Sequence, residues 1–273
     1  MSRPQEVTVQ EEEVLYEVED HIATITFNAP DRMNTISGPM LKLLTERLLT
    51  ANQDKEVRCV IMTGRGRAFC AGLDLRPESG GVAGLGSGTG TVSTTLDLRN
   101  TPPTVLFEME KPVIAAINGG AAGYGMDTAL GCDIRLMGKS GKLAAAFCKR
   151  GIVPESGGTW FLPRLIGWSK AAELIFTGRT LNAQEAVEWG LASEVVEDAD
   201  LMTRARELAR EIAGNAPLAV QAAKRMMRMG LNEPFGEHVH HVYLQLLPLL
   251  RTDDVKEGMM SFMEKRPPVF KGR

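Results

Sequence analysis

With 273 residues, 44% hydrophobic and 24% charged, the chain has the size and balance of a globular protein with a substantial core. A net charge of -3 argues against a nucleic-acid binder, which carries a basic excess, and no run of about 18 apolar residues is present to span a membrane. The four cysteines (Cys59, Cys70, Cys132, Cys148) lie far apart with no CxxC pair, so buried thiols in a reducing compartment are expected rather than a disulfide frame or a metal site. The N-terminal MSRPQEVTVQEEEV is polar and acidic, unlike a signal or transit peptide, which points to the cytoplasm.

Residues 14–18 and Ile22–Phe27 alternate apolar and polar side chains around Glu19 and Asp20, predicting a hairpin. Residues 39–52 predict a helix, with Met40, Leu41, Leu44, Leu48 and Leu49 on or near one stripe and Ser37 or Gly38 as its cap. The apolar run 57–62, ending at Thr63-Gly64, has the pattern of a buried strand. Val113–Ile117 and residues 134–137 read the same way, with a short helix expected over 123–131 between them. Strands alternating with helices favour an α/β fold with buried strands. Residues 77–95, rich in Gly, Ser and Thr, read as a long loop, and loops of that length are usually functional or disordered. Pro102-Pro103 punctuates the next segment of the chain.

After about residue 158 the pattern is almost wholly helical. Asn182-Ala183-Gln184-Glu185 resembles a capping box, and Gly190 is a natural stop. Leu201–Ala213 and residues 218–229, 239–250 and 254–264 each carry an apolar helical stripe. That is more apolar surface than a few helices hide alone, so burial against the first domain and a second subunit is expected.

Two Gly-rich turns follow strands: 63–75, TGRGRAFCAGLDL, and 117–127, INGGAAGYGMD. Small residues let a ligand or another backbone come close, and N–H groups at such turns and at helix N-termini can stabilise an oxyanion. Either turn alone reads equally as glycines used for packing. A phosphate-binding GxxxxGK[ST] loop is absent from the sequence.

Taken with three further segments, these turns resemble the enoyl-CoA hydratase/isomerase (crotonase) family. The segments are GIVPESGGTWFLPRLIG at 151–167, TGRTLNAQEAVEWGLASEVV at 177–196 and FMEKRPPVF at 262–270. The resemblance runs from about residue 12 to the C-terminus, in order and at the family's spacing. It implies an α/β fold, a crotonase-like spiral of repeated ββα units over residues 1–200. Residues 201–273 would form a C-terminal helical trimerisation region, giving a homotrimer or a hexamer built as a dimer of trimers. It implies an acyl-CoA thioester substrate, with coenzyme A entering as part of the substrate and no other cofactor.

By the same resemblance the backbone N–H groups of Leu73 and Tyr124 form the oxyanion hole. Tyr124 replaces the family's usual Gly; its N–H survives, and its phenol shapes the acyl pocket. Loss of one such donor typically costs about 3 kcal/mol of transition-state stabilisation. Family hydratases use two carboxylates. Asp127 stands at the first position, but the second is Phe147, which cannot transfer a proton and is expected to line the acyl pocket. Glu155, by itself an ordinary surface-turn carboxylate, matches the acid of members that shift a double bond, and is the expected general acid/base beside Asp127. The expected reaction is therefore 3-enoyl- to 2-enoyl-CoA isomerisation. A hydratase using Asp127 and Glu155, a thioester hydrolase and a non-catalytic acyl-CoA binder stay open. Coenzyme A contacts are carried over to Arg32, the Ala71 backbone, Phe262 and Lys265, the last two reaching a neighbouring subunit's ligand or their own. His238, His240 and His241 read as surface residues, since no helical carboxylate or Cys completes a metal site and the family needs none. Cys70 reads as a small buried thiol rather than a nucleophile.

Overall fold

The computed structural model describes residues 12–74, 76 and 101–273; the loop expected at 77–95 lies outside them. The chain opens with the expected hairpin. Strands β1 (Val14–Glu19) and β2 (Ile22–Phe27) pair antiparallel, and Asp20 and His21 turn the corner with φ of 51° and 63°. Helix α1 (Gly38–Gln53) begins where Ser37 Oγ accepts the Met40 N–H at 3.2 Å. Strand β3 spans Cys59–Gly64, two residues later than the sequence pattern, because Val57 still belongs to the turn and donates to the Asp54 carbonyl at 3.3 Å.

From β3 onward the architecture is a spiral. The first turn is β3, β4 (Ala68–Cys70) and α2 (Pro102–Glu108). The second is β5 (Val113–Ile117), β6 (Gly120–Ala122) and α3 (Tyr124–Gly131). The third is β7 (Ile134–Gly138), β8 (Lys142–Ala144) and α4 (Gly158–Thr177). In each turn the first strand joins one sheet and the second joins another. β1, β2, β3, β5 and β7 are neighbours in a six-stranded sheet, parallel apart from β1, while β4, β6 and β8 run parallel in a four-stranded one. Strands β2, β3, β5 and β7 are covered on both faces, which is why β3 and β5 read as nearly continuous apolar runs.

The segment after 158 departs from the all-helical expectation. Strand β9 (Thr180–Asn182) pairs with β8 and β10 (Glu194–Val196) closes the large sheet beside β7. Three residues carry too little periodicity to announce a strand; their partners, tens of residues earlier, decide it. Helix α4 bends at Gly167 (φ 77°) and ends on Gly178. α5 (Ala183–Trp189) starts with a complete capping box between Asn182 and Glu185 and stops at Gly190 (φ 84°).

α6 (Leu201–Ala213) lies across the second face of the large sheet. Leu201, Ala205, Ala209 and Ala213 form its buried stripe against Ile22, Ile61, Ile114 and Leu136. Alanines at this spacing let the helix axis come close to the strands. α7 (Pro217–Gly230), α8 (Phe235–Leu249) and α9 (Asp253–Glu264) follow. α8 begins four residues before the expected 239 because Pro234 sets the chain at its N-terminus and its carbonyl takes the His238 N–H at 3.0 Å. α8 buries no residue within the chain; Phe235, Tyr243 and Leu247 are 83%, 61% and 52% exposed. Among the described residues no helix is long and apolar enough to cross a membrane.

Candidate active site

The two Gly-rich turns meet at the ends of β3 and β5. A β-carbon on Gly125 would stand 2.0 Å from the Cys70 carbonyl, and one on Gly119 would stand 2.2 Å from that of Arg67, so α3 and β6 approach the first turn through these glycines. The expected close approach of backbones is therefore real. Gly72 (φ 103°) faces the same contact, its β-carbon position 3.0 Å from the Ala122 carbonyl and 3.8 Å from the Tyr124 nitrogen.

The neighbours of Leu73 point its N–H away from α1. Ile36 donates to the Gly72 carbonyl at 2.8 Å and accepts from Asp74 at 2.9 Å, so the intervening N–H of Leu73 faces the other side. Tyr124 is the first residue of α3, where a helix leaves its N–H groups without intrahelical acceptors. Gly72 and Tyr124 thus stand side by side, with the Tyr124 N–H at the positive end of a helix dipole.

Phe147, the Tyr124 phenol and Glu155 neighbour the second turn. Phe147, 2% exposed, packs its Cε1 3.9 Å from the β-carbon position of Gly123. The Tyr124 phenol is buried, and burial followed by the negative charge of Glu155 keeps it well above its ordinary pKa. Glu155 is exposed in area, yet partial withdrawal from water still raises its carboxyl above the usual glutamate value.

Asp127 differs. It is 0% exposed, its Oδ2 accepts from Ser156 Oγ at 2.8 Å and from the Gly158 N–H at 3.0 Å, and its Oδ1 is buried without a partner. Burial pushes its pKa up to about 7 against the opposing pull of those two hydrogen bonds. Ser156 and Gly158 went unnoticed in the sequence. The only signal was a hydroxyl and a glycine pair directly after Glu155.

The proposed coenzyme contacts separate into two groups. Arg32 and Ala71 sit near the first turn. Arg32 lines a 960 Å³ polar cavity with Glu13, Arg65 and Arg76, but its guanidinium already pairs with Glu13 at 2.7 Å and lies 3.9 Å from Asp74. That pairing holds the Glu13 carboxyl below its usual range. The Ala71 N–H donates to the Met33 carbonyl at 3.1 Å. Phe262, 83% exposed, and Lys265 stand on and just after α9. The tail beyond them is pinned where Arg58, before the start of β3, donates to the Phe270 carbonyl at 2.9 Å. Arg58 directly precedes β3, whereas the Gly-rich turns follow β3 and β5, so the tail is anchored at the opposite end of these strands.

A second cavity of 510 Å³ is apolar and lined by Cys148, Ile152, Val153, Pro154, Trp168 and Phe176, beside the Glu155 turn. Cys148 is exposed, against the expectation of four buried thiols, because it lies in the short helical turn Cys148–Arg150 at the surface. Cys70 is buried and its thiol is pushed up to about 12 by desolvation, which suits packing and not nucleophilic attack. Glu233 Oε2 stands 3.3 Å from His238 Nδ1 and 3.0 Å from His241 Nδ1, a carboxylate the sequence pattern did not place there. Even so, no group of three His, Cys, Asp or Glu side chains among the described residues could hold a metal ion.

The comparisons with known proteins agree with this architecture. A model of the family Enoyl-CoA hydratase/isomerase matches residues 17–273. The chain is 35% identical over 266 residues to the 1,2-epoxyphenylacetyl-CoA isomerase of Escherichia coli (strain K12), covering 95% of this chain and 98% of that one. It is 35% identical over 260 residues to the (E)-benzylidenesuccinyl-CoA hydratase of Thauera aromatica, covering 95% and 99%. The crystal structure of an enoyl-CoA hydratase from Bacillus anthracis superposes with a TM-score of 0.86 at 34% identity, covering 96% of this chain and all of that one.

Proposed function

The chain belongs to the enoyl-CoA hydratase/isomerase family, which acts on coenzyme A thioesters, and we propose that it moves the double bond of a 3-enoyl-CoA to the 2-position. The observation that carries this reading is the inequality of the carboxylates. Glu155 is exposed and Asp127 is sealed in the core, while Phe147, which the family resemblance sets at the second carboxylate position, cannot transfer a proton.

The chemistry follows from one carboxylate. Glu155 removes a proton from C2, and the C–H electron pair moves toward the thioester, leaving the charge on its oxygen. The N–H groups of Leu73 and Tyr124 receive that charge. Glu155, now protonated, returns the proton at C4, and the double bond settles between C2 and C3. One proton leaves and one returns, so no water or further cofactor is consumed. A raised pKa suits a group that must act first as base and then as acid near neutrality.

The hydratase reading needs a second group to handle water. Asp127 has Oδ2 committed to Ser156 and Gly158, which favours isomerisation. For the coenzyme we assign the Ala71 carbonyl to the adenine and Arg32 to the phosphates, in competition with Glu13. Phe262 and Lys265 would serve the site of a neighbouring copy in a trimer or hexamer assembled through the apolar surface of α8. The test is direct: mix the purified protein with 2-enoyl- and 3-enoyl-CoA separately and identify the products. Conversion of the 3-enoyl ester to the 2-enoyl ester supports the proposal. Formation of a 3-hydroxyacyl ester from the 2-enoyl substrate, without isomerisation, would make it a hydratase.

A further inference from the structure

The sealed carboxyl carries an inference that rests on the isomerase reading and extends it. Asp127 lies in the first turn of α3, three residues after Tyr124, whose N–H is one of the proposed oxyanion donors. Ser156 directly follows Glu155 in the chain. The hydrogen bonds from Ser156 Oγ (2.8 Å) and the Gly158 N–H (3.0 Å) to Asp127 Oδ2 therefore tie the turn that bears the oxyanion donor to the turn that bears the base. The fit is close. A β-carbon on Gly158 would stand 2.4 Å from Asp127 Oδ1, so the carboxyl presses on the first residue of α4. With 0% exposure it has no surface from which to reach an acyl chain.

We propose that Asp127 is a positioning residue, which locks Glu155 to the Tyr124 N–H from inside the core and touches no substrate atom. The titratable groups around it are Glu155 and the Tyr124 phenol. Among the described residues no cation neutralises it there, and burial holds its carboxyl up to about 7. A group that serves by accepting two hydrogen bonds does not need its charge, so an amide can replace it.

The experiment compares Asp127→Asn, Asp127→Ala and Ser156→Ala with Glu155→Gln on a 3-enoyl-CoA. Alongside it, the Glu155 carboxyl is titrated by 13C NMR, its resonance identified by its loss in Glu155→Gln. Asp127→Asn is expected to keep kcat within about threefold, whereas Asp127→Ala lowers it on the order of 30-fold with KM nearly unchanged, as misplacement of a reacting group does. Ser156→Ala, which removes only the hydroxyl, is expected to lower kcat on the order of fivefold, so the test stands even if Asp127→Ala does not fold. The Glu155 titration should move in the Ala variants and stay in Asp127→Asn. If Asp127→Asn is as inactive as Glu155→Gln, Asp127 transfers a proton itself and the proposal is overturned. Wild-type kcat and an unmoved titration in Ser156→Ala and Asp127→Ala would overturn it as well. Should the wild-type protein isomerise no 3-enoyl-CoA, the isomerase reading fails separately, and the titration still decides the positioning.

Discussion

The Phe147 ring edge rests 3.9 Å from the β-carbon position of Gly123, the residue that precedes the Tyr124 N–H. An apolar ring thus lies beside the second Gly-rich turn, and under the proposed function it occupies the position where a hydratase would need a group to activate water. Replacing it tests what it excludes. Phe147→Glu is expected to raise hydration of a 2-enoyl-CoA above the wild-type level, because it supplies a second carboxylate. The ring is 2% exposed, so the variant should also lose roughly 3 kcal/mol of stability. Product analysis and a denaturant melt check both parts. A folded variant with unchanged hydration would show that Tyr124 or Asp127 blocks the water position.

Glu155→Gln keeps the size of the side chain and removes its proton traffic. Turnover of a 3-enoyl-CoA should fall about 1,000-fold, within the range that general acid–base catalysis contributes, while coenzyme A binding persists. In the wild-type protein the base must be ionised. Since partial desolvation raises the Glu155 pKa, the acid limb of kcat should lie above the value of about 4.3 for an unperturbed glutamate. A Gln variant with near wild-type kcat would remove Glu155 from the chemistry.

The stability of the fold should depend on Asp127 through pH. An aspartate in the unfolded chain ionises near 3.9, whereas burial holds this one up to about 7. Between these values the unfolded chain gives up a proton that the folded chain keeps. The contribution of the group is therefore complete below about pH 4 and is lost as pH rises to about 7. The gap of about three pH units corresponds to about 4 kcal/mol. Asp127→Asn cannot ionise, so its stability relative to wild type should grow between pH 4.5 and pH 8. Urea melts at both pH values measure this, and a constant difference would refute it.

Assembly should run through the helices that the single chain leaves uncovered. Sedimentation at micromolar concentration is expected to give a trimer or a hexamer, and Leu247→Asp on α8 to dissociate it, since a charge in a closed apolar interface repeats in every copy. Removing residues 254–273 should also weaken coenzyme A binding, because Phe262 and Lys265 leave with them. A stable wild-type monomer, or a truncated protein that binds normally, would contradict these assignments.

Much of the fold was legible in local pattern. The hairpin at β1 and β2, the Ser37 cap of α1, the apolar run of β5 and the capping box of α5 each follow from residues adjacent in sequence. The family resemblance added the repeated ββα unit, though not the positions of the short second strands. β4, β6 and β8 have three residues each, and the glycines around them look the same whether they serve packing or a ligand.

The sequence by itself determined which groups are available: one carboxylate in the 151–167 motif, another on α3, and a phenylalanine at 147. Only the tertiary structure decided which is which. Burial is a property of three-dimensional packing, and it sealed Asp127 under Ser156 and Gly158 while leaving Glu155 exposed. The same holds for Arg32, whose charge is plain in the sequence but whose pairing with Glu13 depends on the chain folding back across β1 and β2. A side chain's type is local, whereas its desolvation and its partners are set by residues distant in sequence, and these fix its chemistry.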